Sequence, residues 1–320
     1  MGVGTVSRVL NRSPRVSEAT RERVLQVIEE LEYTPSSVAR RLSLGRTQTV
    51  AVVVPFLTHP SAVERLRGVV AGVRGSAYDL VVLDVETIQQ RDRLRSLAGG
   101  DRADGVIVLS LHPTDDDVGL LERTGVAAVL VDAVHPRLAR FVIDDVAGGE
   151  LATGHLLDLG HERIGFVGDL SEGGFGFTSS DDRWEGYRRA LAARGLVAID
   201  ELARTGPHDR VAAAALAADL LALARRPTAI FAASDTQALG VLQAAAAAGL
   251  SVPGDLSVIG FDDIDLASYV GLTTVRQPLF ESGRLGAEHL LGELAEPTGD
   301  APEKLLPLDL VVRSTTRPPT

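Results

Sequence analysis

"TVAVVVPFL", residues 49–57, is an almost unbroken apolar run that ends on a proline and a short apolar tail. A strand with one wet face would alternate apolar and polar residues. This one does not, so the run predicts a strand covered on both faces, as in a parallel sheet between helix layers. Six more stretches read the same way: "YDLVVLDV" (78–85), "DGVIVLSL" (104–111), "VAAVLVDA" (126–133), "RIGFVGDL" (163–170), "TAIFAASD" (228–235) and "LSVIGFDD" (256–263). Helical patterns fall between them, at Glu64–Arg74, Gly148–Leu159, Arg183–Arg194, Val211–Ala224 and Thr236–Ala248. Strand alternating with helix predicts an α/β fold of parallel sheets with helices on both faces. The pattern is too long for one ordinary domain, so two doubly wound subdomains are expected. Ligands of such sheets sit beyond the carboxyl ends of the strands. Polar residues close several runs at that edge: Asp84, Ser110, Asp132, Ser234–Asp235 and Asp262–Asp263. Acidic and hydroxyl groups around a shared cleft suit a polyhydroxylated or amine-bearing ligand. For Asp132, Asp235 and Asp263, a helix N-cap after the strand is an equally good reading.

The segment before this core has another character. In "TVSRVLNRSPRVSEATRERVLQVIEELEYTPSSVARRL" (5–42), Val6, Val9 and Leu10 make one side of a short helix apolar, and Thr5, Ser7, Arg8 and Asn11 lie on its other sides. Ser17 can cap a second helix whose stripe is Val24, Val27, Ile28 and Leu31. Tyr33–Thr34–Pro35 stops it, and Ser36 can cap a third, running to about Leu44. Pattern alone fits a small helical unit with solvated arginines as well as it fits a DNA reader. Charge separates this segment from the rest. The net charge is −11, yet residues 1–47 hold eight Arg against five Glu, leaving −14 for the remainder. A basic head on an acidic body is what phosphate contact by the head alone would require.

Composition and motifs exclude several classes. There is no cysteine, hence no disulfide, thiolate nucleophile or thiolate metal site. No apolar run approaches the ~18 residues of a membrane helix, and the N-terminus has no apolar leader pattern, so a cytoplasmic protein with no membrane partner is expected. No phosphate-binding G-x-x-x-x-G-K-[ST] occurs, "EGGFGF" (172–177) does not complete a dinucleotide fingerprint, and neither H-E-x-x-H nor G-x-S-x-G is present. His155 and His161, six apart, fall on different helix faces and make no metal pair; neither metal nor cofactor is expected. His59, His112 and His135 each precede a proline or sit beside one in loops and are expected to face solvent.

Eight segments together resemble one family: "TVSRVLN", "VSEATRERVLQVIEELEYTPSSVARRL", "GRTQTVAVVVP", "DLGHERIGFVG", "RWEGYRRAL", "RPTAIFAASDTQALGVLQA", "VPGDLSVIGFDDI" and "LTTVRQPL". In this order, over essentially the whole chain, they are similar to the LacI-type (lactose repressor-like) transcriptional regulators. The resemblance implies a helix-turn-helix head with a hinge helix (1–47, hinge about 36–44) and a core like the periplasmic sugar-binding proteins (48–320). The core would divide into an N-subdomain (about 48–147 and 277–303) and a C-subdomain (about 148–274 and 304–320). It also implies a homodimer, with a tetramer as the alternative assembly, whose partners are operator DNA and a small sugar- or nucleoside-like effector. The first helix of the family's head has no counterpart here, and Met1 stands where the family usually has valine, which fits either a reading frame that starts further upstream or a form without that helix.

The resemblance assigns residues. Val3, Gly4 and Arg8 match base-contacting positions of the recognition helix, and Arg8 can donate twice to guanine. Thr5, Ser7 and Asn11 would contact phosphate or cap. Ala39 and Leu42 match hinge residues that enter the minor groove, where Leu42 would wedge between base pairs. In the cleft, Arg183 and Asp262 match the ligand-binding arginine and aspartate, Ser234 stands where sugar-binding members carry asparagine, and His208 aligns with an aromatic stacking position. Ser61 and Ala62 follow Pro60 where an aromatic pair is common, which weakens the expectation of a stacked ring. A transport solute-binding protein is the first rival, set against by residues 1–47. An enzyme on a doubly wound scaffold is the second, set against by the absent catalytic motifs.

Overall fold

The computed structural model describes residues 3–10, 15–31, 46–97, 102–169 and 175–319. The apolar run at 49–57 forms β1 (Thr49–Pro55), every residue of it buried. It lies between β2 (Asp79–Val85) and β3 (Gly105–Leu109), parallel to both. Then come β4 (Ala127–Val131), β5 (Ala139–Val142) and, far along the chain, β11 (Glu303–Leu305), giving the sheet order β2-β1-β3-β4-β5-β11. The second sheet repeats the plan: β6 (Ile164–Asp169), β7 (Ala203–Gly206), β8 (Ala229–Ala232), β9 (Ser257–Asp262), β10 (Thr273–Arg276) and β12 (Asp309–Val311), in the order β7-β6-β8-β9-β10-β12. The last strand runs antiparallel to β10, the one exception to the expected parallel arrangement among the described strands.

The described helices are α1 (Val3–Leu10), α2 (Glu18–Glu30), α3 (Pro60–Val73), α4 (Asp92–Leu97), α5 (Asp115–Thr124), α6 (Asp145–Asp158), α7 (Ser179–Ala193), α8 (Arg210–Leu221), α9 (Asp235–Ala247), α10 (Asp265–Tyr269) and α11 (Leu279–Ala295). Each sheet has an apolar cluster on either face. Val53, Val108 and Leu130 point to one side of the first sheet, and Val52, Ile107 and Val129 to the other, following the two-residue period of a strand. Two helix pairs sit unusually close. A Cβ on Gly283 of α11 would lie 2.0 Å from the carbonyl oxygen of Arg65 in α3, and one on Gly149 of α6 would lie 2.2 Å from that of Arg183 in α7. Only glycine admits these approaches, and both bring an arginine-bearing helix to the edge of its sheet.

The chain crosses between lobes at 143–144, 277–278 and 306–308. β11 therefore belongs to the first lobe, which corrects the expected start of the last C-subdomain segment at 304: Glu303–Leu305 pair with Arg140–Val142. β5, β7, β10, β11 and β12 are strands that apolar runs did not reveal. Each is three or four residues long; the edge strand β11 is exposed along its length, and the edge strand β12 is exposed at Asp309 and half-buried after it. In the head, α1 packs on α2, and Val9 and Val24 are buried there. The hinge helix expected at 36–44 lies outside the described residues.

Candidate functional site

A cleft of about 540 Å³ opens where the carboxyl ends of the two sheets face each other. Four residues at strand ends that line it hold positive φ: Phe56 (+49°), Ser110 (+48°), Asp132 (+57°) and Asp262 (+117°). Non-glycine residues adopt this region at a cost, and such outliers gather at functional sites. Here they turn side chains sideways off the sheets and into the cleft.

The C-lobe wall is built around Arg183, in the second turn of α7 and only 6 % exposed. Its Nε and Nη2 both donate to Asp145 Oδ1 at 2.8 Å, and Nη1 donates to the Ala233 carbonyl at 2.6 Å. Nη1 also lies 3.9 Å from Asp262 Oδ1, and the guanidinium carbon stacks 3.7 Å from the Phe261 ring centre. One cation thus serves two buried carboxylates. Burial pulls the Arg183 guanidinium down, but Asp145 and Asp262 outweigh it and hold the group firmly charged. Burial pushes Asp145 up to about 6 and raises Asp262, with Arg183 opposing in both cases. Asp262 Oδ1 accepts from Gln277 Nε2 at 2.5 Å.

His208, in the loop after β7, completes this wall. Its Nδ1 lies 2.9 and 3.0 Å from the two oxygens of Asp169. Burial lowers the imidazole, but the hydrogen bond and charge of Asp169 outweigh it and leave it above its ordinary value. Asp169 in turn accepts from Gln237 Nε2 at 2.8 Å. Ser234 stands behind this chain rather than in the cleft. It is 1 % exposed, caps α9 by accepting from the Gln237 amide at 3.2 Å, and donates to Gln237 Oε1 at 3.1 Å. It can reach a ligand only through Gln237, Asp169 and His208.

The N-lobe wall holds Ser61, in the first turn of α3, with Ser110, Asp132 and Arg65. Arg65 Nη2 lies 2.9 Å from Asp132 Oδ2 and 2.9 Å from Gln277 Oε1, and Ser110 Oγ donates to Asp132 Oδ2 at 2.6 Å. Because Gln277 bonds Arg65 of one lobe and Asp262 of the other, a polar chain crosses the cleft floor from Ser110 to Asp145. Sequence reasoning passed over Arg65 and Gln277. The signal was present for Arg65: it falls at helical spacing with Ala62, Val69 and Val73, the buried face of α3, where a charge requires a partner.

The expectation against a stacked ring needs revision. Ser61 and Ala62 bring no aromatic group, but five rings come from elsewhere. Phe56 and His59 stack at 5.1 Å between centres, Phe175 and Phe177 at 5.3 Å, and His59 meets His208 at 5.0 Å. His59 was expected in solvent; it is half-buried in the cleft, and burial followed by the nearby His208 lowers its pKa. His135 corrects the same expectation. It is 7 % exposed, with Nε2 3.2 Å from Asp115 Oδ1. His112 is half-buried and lines a second hollow adjoining the first.

The remaining strand-end acids are structural partners rather than helix caps. Asp84 accepts from the Leu57 amide at 3.0 Å. Buried Asp235 accepts from Thr274 Oγ1 at 2.6 Å and the Ile264 amide at 2.9 Å; burial and then Asp262 push it well up. Asp263 pairs with Arg276 and Arg313 at 2.7 and 2.6 Å. His155 and His161 bond different partners, Thr316 and Thr228–Ser257, and among the described residues no His, Asp and Glu cluster could hold a metal ion.

In the head, Gly4 and Arg8 lie exposed one turn apart on α1, with Thr5 half-buried beside them. Val3 and Ser7 belong to the same helix. Asn11, Ala39 and Leu42 lie outside the described residues. Among the described residues, no helix is long and apolar enough to cross a membrane.

Comparison with known proteins agrees with this anatomy. A family model for a periplasmic binding protein-like domain matches residues 153–316, and one for bacterial regulatory proteins of the lacI family matches residues 2–36. The "HTH-type transcriptional repressor PurR" of Photobacterium profundum is 33% identical over 320 residues, 98% of this chain and 94% of that protein. The ribose operon repressor of Escherichia coli is 35% identical over 305 residues, 93% of this chain and 91% of that one. Among solved structures, the CelR–cellobiose complex has a TM-score of 0.75 at 32% identity, covering 98% of this chain and 96% of that one. The lac repressor dimer bound to operator and the anti-inducer ONPF has a TM-score of 0.84 at 26% identity, covering 98% and 95%. With two doubly wound lobes around a polar cleft and a helical head at the N-terminus, the chain belongs to the lacI family of bacterial regulatory proteins, which are DNA-binding transcription regulators rather than enzymes.

Proposed function

We propose that this regulator represses a sugar or nucleoside utilisation operon and that its effector binds in the cleft between Arg183–Asp262 and Ser110–Asp132. The observation that carries this reading is the pairing of acceptor and donor groups on both lobes under a set of aromatic rings. Asp132 and Asp262 each use one oxygen internally and leave the other free among the described residues, so each can accept from a hydroxyl. Rings such as Phe177 and His208 offer apolar faces to a sugar or base. Ser61 and His208 would contribute at the rim, and Ser234 would act through Gln237. Arg8 would read a base edge, Val3 and Gly4 would accompany it, Thr5, Ser7 and Asn11 would meet phosphate, and Ala39 and Leu42 would enter the minor groove. The working form would be a cytoplasmic homodimer.

The test is a thermal-shift screen of D-ribose, cellobiose, hypoxanthine and adenosine against wild type and Asp262→Ala, followed by gel-shift of the regulator's own promoter DNA with each hit. A compound that raises the wild-type melting temperature, leaves the variant unmoved and alters DNA retention carries the proposal. A hit that stabilises both proteins equally sinks it.

A further inference from the structure

The charge on the N-lobe wall has a partnering pattern unlike that of Arg183. Arg65 is 4 % exposed and comes from the buried face of α3. A guanidinium carries five N–H donors. Among the described residues, those of Arg65 Nη2 serve Asp132 and Gln277, and Nε and Nη1 have no acceptor. Arg183 is more fully engaged, with one bond on each nitrogen and so three of its five N–H groups in use among the described residues. Behind Arg65 lies a void of about 10 Å³, bordered also by Asp132, Gln277 and Ser282. It has room for about one water, which accepts at most two hydrogen bonds. At least one Arg65 donor therefore remains for whatever occupies the main cleft, which Arg65 also lines.

We propose that Arg65 is a specificity-determining residue: it selects effectors that present an acceptor-only group, a carboxylate or a carbonyl, over otherwise equal ligands that present hydroxyls alone. This rests on the cleft being the effector site. The physical reason lies in what each group brings. A hydroxyl already has Asp132 and Asp262 to donate to, and can meet water on its other side. A carboxylate or carbonyl has only lone pairs to offer, and in this cleft Arg183 already spends three of its five N–H groups on Asp145 and Ala233. Arg65 has the larger reserve, three N–H groups without an acceptor among the described residues against two on Arg183, and hydrogen bonds involving a charged partner are the stronger kind.

The experiment uses matched probes: D-galactose with D-galacturonate and D-glucose with D-glucuronate, which exchange a hydroxymethyl for a carboxylate, and purine with hypoxanthine, which adds a carbonyl and makes the neighbouring ring nitrogen a donor. Affinities are measured by calorimetry for the full chain, for Arg65→Met and for Arg65→Lys. The sugar pairs report a carboxylate and the purine pair a carbonyl. In at least one pair, wild type should prefer the acceptor-bearing member by roughly tenfold or more. Arg65→Met should bring that pair close to parity by weakening the acceptor-bearing member more than its hydroxyl-only or unsubstituted partner, which loses some affinity as Asp132 loses its cation. Arg65→Lys, which keeps a charge and less of the fork, should fall between and guards against an Arg65→Met chain that does not fold. A preference that survives Arg65→Met and Arg65→Lys, or one for the other member of every pair, overturns the proposal. Equal loss of both members assigns Arg65 a structural role and overturns it too. Failure of wild type to bind any probe would instead remove the reading of the cleft on which the proposal stands.

Discussion

The two walls of the cleft solve the same problem in opposite ways. On the C-lobe wall, Arg183 is largely committed: three of its five N–H groups bond Asp145 and Ala233, and Asp262 and the Phe261 ring stand beside it. On the N-lobe wall, Arg65 holds Asp132 and Gln277 and keeps donors in reserve. The heavier commitment makes a more rigid surface, on which the carboxylate of Asp262 can lead the recognition. Reserve makes a surface on which the cation can recognise. The lesson is that a buried arginine's capacity to read a ligand is what remains of its five N–H groups after the protein has used its share.

The largest effect that separates the walls is stability. Arg183→Ala strands Asp145 and Asp262 without their cation, and removing one partner of a buried pair costs about 3–5 kcal/mol. Ser61→Ala, on the opposite wall and half-buried, should stay within about 0.5 kcal/mol of wild type. Urea denaturation measures both, and a loss below about 1 kcal/mol for Arg183→Ala would break the contrast.

Asp262→Asn should do the reverse, sparing the fold and weakening the effector. The amide oxygen can still accept from Gln277, but the charge is gone. Leaving a ligand donor with a poorer acceptor should cost about 1–3 kcal/mol, roughly five- to 150-fold in affinity by calorimetry. Affinity equal to wild type would move recognition away from this carboxylate.

A smaller change is expected from Phe177→Ala. The ring is 37 % exposed and stacked on Phe175, so the melting temperature should hardly move. Losing one aromatic face should cost about 0.5–1.5 kcal/mol of effector binding. A melting temperature that falls with no change in affinity would make the ring a packing element.

The smallest effect is a pH dependence confined to the C-lobe wall. His208 is raised above its ordinary value because Asp169 outweighs burial. A group raised in the folded state contributes stability in full below its unfolded value, near 6.5, and loses it as pH rises through the raised folded value. Wild type should therefore lose some stability on going from mildly acidic to mildly alkaline pH, and Asp169→Asn should flatten that slope. Histidine titration by NMR gives the check: a His208 unaffected by Asp169→Asn would dissolve the pair.

Much of this arrangement was legible beforehand, unevenly. The strands buried on both faces announced themselves as apolar runs, and so did the edge at which a ligand would sit. Arg183, Asp262, Ser61 and His208 were named from the sequence, and the structure brings all four to one cleft. Ser234 was named too, but its hydroxyl is spent on capping α9. The rings of Phe56, His59, Phe175 and Phe177 went unread because they sit in loops, which carry no periodicity. Short strands such as β7 and β12 went unread because three or four residues are too few for a pattern.

By itself, the sequence determined the alternation of the long apolar strands with helices, the split between a basic head and an acidic body, and which polar residues end several of those strands. Periodicity and charge are local quantities, and a linear chain displays them directly. Only the tertiary structure decided which of those polar groups are used up. Whether Asp235 faces a ligand or Thr274, and whether Arg65 is paired or has donors in reserve, depends on groups 39 and 212 residues away in the chain. The free hydrogen-bonding capacity of a buried side chain is what its distant neighbours leave over, and no single stretch of sequence contains that remainder.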